Sequence, residues 1–336
     1  MARPRFLPDN FTLALLATVA LASFFPASGV FAGYVQRVTN GIVSLLFFLH
    51  GAKLSRQAIF AGLGHWRLHA WIFVATFALF PVLGWALRPA LAPLVTPDMY
   101  TGVLFLCALP ATVQSAIAFT SMARGNVPAA VCSASASTLL GILVTPVLVG
   151  LLLSKNADNG DALQAVIKIA TVLLLPFIVG HLMRPLIGGF LQRRAAIVKL
   201  VDQGSILFVV YSAFSAAVIS GLWRQTSVPD LLGLIALCGI LLGLVLAATT
   251  WGARRLGFNK EDEITLVFCG SKKSMVSGIP MANVLFPAAS VGAIVLPLMI
   301  FHQIQLMVCA VLAQRYARRP EPRRQQGKDG GAASAA

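Results

Sequence analysis

Charge is the scarcest commodity in this sequence. Only 11% of the 336 residues are Asp, Glu, Lys or Arg, against about 25% in soluble domains. Acids are rarer still: there are 11, against 26 Lys and Arg. With 58% hydrophobic residues, the composition excludes an ordinary soluble globular domain and points to an integral membrane protein. Metal-site spacing is also missing. Cys107, Cys132, Cys238, Cys269 and Cys309 all lie in apolar runs, where cysteine behaves as a small buried hydrophobe. Enzyme motifs are absent too. There is no G-x-x-x-x-G-K-[ST] phosphate loop, no H-E-x-x-H helix and no base–nucleophile–acid set. No catalytic residue, metal or cofactor is expected. The formal net charge of +15 does not indicate a nucleic-acid partner, because the cations lie mostly between apolar segments.

What is present is a series of long apolar runs. Ten segments of roughly 20 residues each, the length that crosses a bilayer, lie near 11–29, 37–55, 67–90, 99–123, 127–154, 163–186, 200–223, 229–253, 262–286 and 289–314. The opening stretch resembles a signal peptide, with Arg3 and Arg5 before an apolar core, and is read as an uncleaved first helix. If the connections alternate sides, 19 Lys and Arg fall on one side and 4 on the other. The positive-inside rule then puts both termini in the cytoplasm. The reading divides the chain into a cytoplasmic N-terminus (1–10), a first five-helix repeat (11–154), a second, inverted five-helix repeat (163–314) and a disordered basic tail (315–336).

The repeat rests on a shift of 162 residues. "FLCALPATVQSAI" (105–117) then lies over "VFCGSKKSMVSGI" (267–279), matching Cys107 to Cys269, Thr112 to Ser274 and Ser115 to Ser277. An odd number of spans per repeat inserts the second copy upside down, the arrangement common in secondary transporters. Both stretches interrupt an apolar helix near its middle, one with Pro110 and the other with Gly270 and a polar cluster. Half-helix ends at membrane depth can bind ions or substrate. Thr112, Gln114 and Ser115 with Ser271, Lys272, Lys273 and Ser274 are therefore the leading site. Thr76, Ser133 and His302 are added as mid-span polar side chains. The two lysines stand about 100° apart on a helix. One is expected to face the crossing, the other a water-filled cavity or vestibule. All acids fall outside span centres, with Asp202 opening the seventh span and "KEDE" (260–263) placing negative charge at a helix start. With no mid-membrane carboxylate to bind sodium or carry protons, a lysine that loses and regains its proton would take that role.

The stretches "LPATVQSAIAFTSMARGNVPAAVCSASASTLLGILVTP" and "EDEITLVFCGSKKSMVSGIPMANVLFP" resemble the bile acid:sodium symporter superfamily. They are most like its branch typified by the seventh member of human solute carrier family 10 and its bacterial relatives, over about residues 8–318. The resemblance implies an all-α integral membrane protein of ten transmembrane helices in two inverted five-helix repeats. Broken helices 4 and 9 would cross in a core domain beside a panel domain, with substrate between the two. It also implies residence in the plasma membrane, the inner membrane in a bacterium. The sodium-coupled members carry E-V-G-M-Q-N-S in span nine. Aligning its glycine with Gly270 puts Phe268 at the sodium-binding glutamate, Lys272 at the glutamine and Lys273 at the asparagine. Span-four ligands fall on Ala116 and Ile117, span-five ligands on Ala130 and Ala134, and the span-three glutamine on Thr76. The expectation is a secondary transporter of a small organic solute, anionic or amphipathic. It would work by alternating access in the lipid bilayer, with proton coupling or exchange in place of sodium. A sodium-coupled bile-acid-type symporter and a non-transporting membrane regulator of ion homeostasis are the alternatives.

Overall fold

The computed structural model describes residues 10–53, 65–153 and 170–319, and every regular element among them is helical. The helices are α1 (Asn10–Phe24), α2 (Gly29–Lys53), α3 (Trp66–Ala86), α4 (Pro97–Ala108), α5 (Gln114–Met122) and α6 (Val127–Leu153). They continue with α7 (Leu175–Arg193), α8 (Ala195–Ile219), α9 (Val228–Arg255), α10 (Lys260–Gly270), α11 (Met275–Leu285) and α12 (Ala288–Ala317). Among the described residues, α3, α6, α8, α9 and α12 are long and apolar enough to cross a membrane by length and composition. The fourth and ninth apolar runs are each split in two, α4 with α5 and α10 with α11. Ala108 and Gly270, which end α4 and α10, are separated by the same 162 residues as the repeat in the sequence. α12 runs to Ala317, past the boundary at 314. The first nine residues, residues 320–336 of the tail and residues 154–169 between the repeats lie outside the described residues.

Helix starts follow local chemistry written in the sequence. Ser227 and Asp230 form a reciprocal capping box at the head of α9, with Pro229 in its first turn. The side chains of Asn259 and Ser274 accept from the amides of Asp262 (2.8 Å) and Ser277 (3.2 Å) to cap α10 and α11. The acids at the start of α10 also find cations. Glu261 pairs with Arg319 at 2.7 Å and Glu263 with Lys260 at 2.7 Å, and Tyr316 donates to Glu263 at 3.1 Å.

The helices pack as two groups. α1, α2, α7 and α8 lie against one another, and α3–α6 with α9–α12 form the second group. α8 joins them by packing on α11 and α12. Within the first group α2 and α7 approach backbone to backbone. A Cβ on Gly51 would fall 2.0 Å from the Phe177 carbonyl oxygen, and one on Gly180 would fall 2.0 Å from that of Phe48. This reciprocal contact requires glycine on both helices, the small-residue packing typical of membrane bundles. Gly51→Ala and Gly180→Ala are each expected to cost about 1–3 kcal/mol through overpacking. Thermal unfolding in detergent micelles should show a lowered midpoint for both. Gly243→Ala, where nothing lies within 4 Å, should leave the midpoint unchanged or raise it.

Candidate functional site

The two helix breaks meet. Pro110 brings no N–H to α4, and Leu109 before it takes the extended conformation (ψ 155°) that a following proline favours. On the other side, Ser271 ends α10 at φ −98°, ψ 0°, and Ser274 takes an extended conformation to cap α11. The amide of Ser274 donates to the carbonyl of Pro110 at 2.9 Å, tying one break to the other. α6 braces the α4 break: Thr145 Oγ1 donates to the Ala108 carbonyl at 2.8 Å, and Ser137 Oγ accepts from the Ala111 amide at 2.9 Å.

Lys273 lies at the centre of this junction and is fully buried. Its Nζ donates to the carbonyls of Thr76 (2.7 Å), Cys107 (2.8 Å) and Leu109 (2.7 Å). Each of these oxygens is free for a local reason. A π-helical turn over Ala75–Leu79 redirects the Phe80 amide to Ala75, and the next residue, Pro81, has no N–H, so the Thr76 carbonyl loses its helical partner. Cys107 and Leu109 lie at the C-terminus of α4, where carbonyls are left over, and the Ala111 amide that would reach Cys107 goes to Ser137 instead. The Nζ also lies 4.2 Å from the Phe80 ring centroid. Gln305 on α12 holds the lysine's backbone. Its Oε1 accepts from the Lys273 amide (3.0 Å), and its Nε2 donates to the Lys273 carbonyl (3.1 Å) and to His302 Nδ1 (2.8 Å).

An ammonium has three donors, and here three carbonyls take all of them. A neutral amine, with two donors, would leave one carbonyl without a partner. The geometry thus calls for a fixed positive charge at the negative end of the α4 dipole. Burying a cation costs several kcal/mol. Three hydrogen bonds to a charged group, each worth about 1.5–3 kcal/mol, are of the size needed to offset it.

Lys272 points away from Lys273. Its Nζ donates to the Ser115 carbonyl at 3.2 Å and lies 3.7 Å and 5.4 Å from the ring centroids of Phe119 and Phe268. It too is fully buried. Neither lysine faces open space, in contrast to the expectation that one of them would. Carbonyls and aromatic faces surround both ammonium groups.

A cavity of about 390 Å³ opens between the two helix groups. Thr112, Gln114 and Ser115 from the first break, Ser274 from the second and His302 from α12 line it. The other expected site residues lie away from it. Thr76 acts through its main chain, while its hydroxyl donates to the Ile72 carbonyl at 2.8 Å. Ser133 Oγ pairs with His69 Nδ1 (2.6 Å) between α6 and α3, and Ser271 Oγ donates to the Val267 carbonyl (2.6 Å).

Sequence reasoning missed the opposite wall. His50 and Lys53 of α2 and Lys199 and Asp202 of α8 all line the cavity. Asp202 was expected to open the seventh span. α8 instead begins at Ala195, which carries Asp202 into the helix, where its carboxylate pairs with Lys53. Gln305 was missed as well; its signal was the His302, Gln303, Gln305 cluster in an otherwise apolar helix. Replacing Lys273 by Met would strand three carbonyls and is expected to destabilise the protein by about 3–5 kcal/mol. Lys272→Met, which strands one carbonyl that still belongs to a helix, should cost markedly less. Unfolding midpoints of the two variants check this ordering.

Comparison with known proteins gives the family. Residues 9–318 match the SBF-like CPA transporter family. An uncharacterized protein of Pseudomonas aeruginosa is 65% identical over 319 residues, 95% of this chain and 96% of its own length. Escherichia coli "Putative symporter YfeH" is 57% identical over 313 residues, 93% of this chain and 94% of its own. Rattus norvegicus sodium/bile acid cotransporter 7 is 26% identical over 309 residues, 90% of each chain. A match over nearly the whole length, together with the long apolar helices, makes the chain a multi-pass membrane protein and a member of the SBF-like CPA transporter family, a family of transporters rather than enzymes.

Proposed function

We propose that the protein is a secondary transporter of organic anions that works by alternating access and does not require sodium. The observation that carries this reading is the convergence of two half-helix N-termini on one cavity. Thr112 to Ser115 lead into α5 and Ser274 to Ser277 form the start of α11, and both stretches line the same space as Lys53 and Lys199. Helix N-termini carry partial positive charge and unpaired amides. With two ammonium groups opposite, the cavity suits a carboxylate, sulfonate or sulfate, and its apolar wall, including Phe11, Leu139, Phe177 and Ile206, suits an attached hydrocarbon body.

In this reading the ten apolar runs are ten spans in two inverted repeats. α1, α2, α7 and α8 form a panel and the remaining helices a core that carries the crossing. Both termini and the end bearing Lys53 and Lys199 face the cytoplasm, in keeping with the arginine- and lysine-rich connections. The symporter and sodium/bile acid cotransporter names of the relatives support a solute of this kind and, for a bacterial chain, the inner membrane. Sodium is dispensable in this account because the fixed Lys273 ammonium already supplies a cation to the main-chain oxygens at the crossing.

The test is taurocholate uptake into proteoliposomes in sodium or choline buffer. Equal uptake in both is expected, as is roughly tenfold weaker binding in Lys199→Met, which corresponds to about 1.4 kcal/mol. Uptake that requires sodium would overturn the sodium-independent part. Failure of taurocholate and simpler aryl sulfonates alike to bind would overturn the anion reading.

A further inference from the structure

Among the described residues, the Asp202 carboxylate is the one acidic group lining the cavity, and its two oxygens differ. One bonds Lys53 Nζ; the other, Oδ1, is buried without a hydrogen-bond partner among the described residues. The side chain as a whole is only 13% exposed, against 34% for Lys53. The titratable and charged groups around it come from several elements. Lys199 shares α8 with it and lines the same cavity, as do His50 and Lys53 of α2 and His302 of α12, while Arg184 of α7 lines the adjoining vestibule with Lys53, Lys199 and Asp202. α1 and α11, also packed on α8, contribute no titratable side chain. His50 directs its Nδ1 at the Leu46 carbonyl, 2.7 Å away.

We infer that Asp202 is the proton-coupling site of the transporter and that Lys53 is the switch which links its protonation to anion binding. This rests on the organic-anion reading above. In the empty cavity the Lys53 ammonium neutralises the Asp202 carboxylate. An anionic substrate entering between Lys53, Lys199 and the two helix N-termini competes for the same ammonium. When Lys53 turns to the substrate, Asp202 is left as an unpaired charge in a largely dehydrated wall. It then takes one proton from the aqueous side to which the cavity is open. The loaded cavity therefore carries one added negative charge from the substrate and one added proton on Asp202, so the pair crosses with no net charge for a monoanion. On release to the other side the substrate leaves, Lys53 returns to Asp202, and the proton departs. Oδ1, which the paired state leaves without a partner, is the oxygen placed to receive that proton.

Lys273 has all three donors engaged, whereas Lys53 and Asp202 are held by each other at the edge of the cavity and can exchange partners. Linkage requires that a proton taken up on binding makes binding tighter at lower pH, approaching tenfold per pH unit for one proton.

The experiment measures taurocholate binding to the full chain in lipid nanodiscs, in weakly buffered solution with a pH indicator dye. A sulfonate stays ionised throughout the working range, so any proton taken up belongs to the protein. Uptake of about one proton per bound taurocholate is expected near neutral pH, with affinity rising several-fold for each unit fall in pH. Asp202→Asn, which leaves Lys53 uncontested, should bind more tightly with neither proton uptake nor pH dependence, and Asp202→Glu should restore both. Lys53→Met should weaken binding at least tenfold and also lose the proton uptake. Binding by the native protein without proton uptake would overturn this inference while leaving the anion reading intact. Uptake that persists in Asp202→Asn but vanishes in His50→Gln would overturn it as well. Absence of any binding by the native protein would overturn the anion reading and this inference together.

Discussion

The architecture depends on a single buried ammonium. Lys273 gathers main-chain oxygens from α3 and from the end of α4, and its own peptide belongs to the break between α10 and α11. Remove that charge and three carbonyls lose their partner inside a membrane protein, where no water can readily replace it. The features around it are arranged to make the charge tolerable. A π-helical turn followed by Pro81 frees one carbonyl, Pro110 frees two more by ending α4, and Gln305 fixes the lysine's own amide and carbonyl. None of these is a favourable helical feature alone. They become consistent only as parts of one cation site.

That site explains where the polar surface of the protein ends up. Two apolar runs that break where they meet expose four helix ends. The negative end of α4 turns inward to Lys273, while the starts of α5 and α11 are left facing the cavity. Positive helix ends are thereby separated from the buried charge. Lys272 and Lys273 join the two breaks, and Lys53, Lys199 and Asp202 line the cavity from the other helix group.

Much of this was legible in the sequence, and for identifiable reasons. The breaks were visible because proline and a glycine-led polar cluster interrupt apolar runs at matching positions. Thr112, Gln114, Ser115 and Ser274 were found because they are the polar residues at those breaks, and they do line the cavity. Thr76 was singled out for its hydroxyl, yet what matters is its carbonyl. A free main-chain oxygen has no letter in a sequence, and it arises here from a π-helical turn that no residue announces. Asp202 was read as the opening of a span, because apolar runs locate the middle of a helix better than its limits. α8 starts before its apolar run does, and Asp202 therefore belongs to the helix wall. Gln305 sits in a cluster of polar residues whose direction could not be told from spacing alone.

Chemical rescue tests the fixed-cation account most directly. Lys273→Ala removes the ammonium and leaves a space the length of propylammonium, lined by the carbonyls of Thr76, Cys107 and Leu109. A fixed ammonium predicts that propylammonium raises the unfolding midpoint of this variant in a saturable manner. It also predicts that propyltrimethylammonium, which carries the charge without N–H donors, does not, and that neither compound affects the native protein. Equal responses to the two cations, or a Lys273→Ala protein as stable as the native one without either, would contradict it.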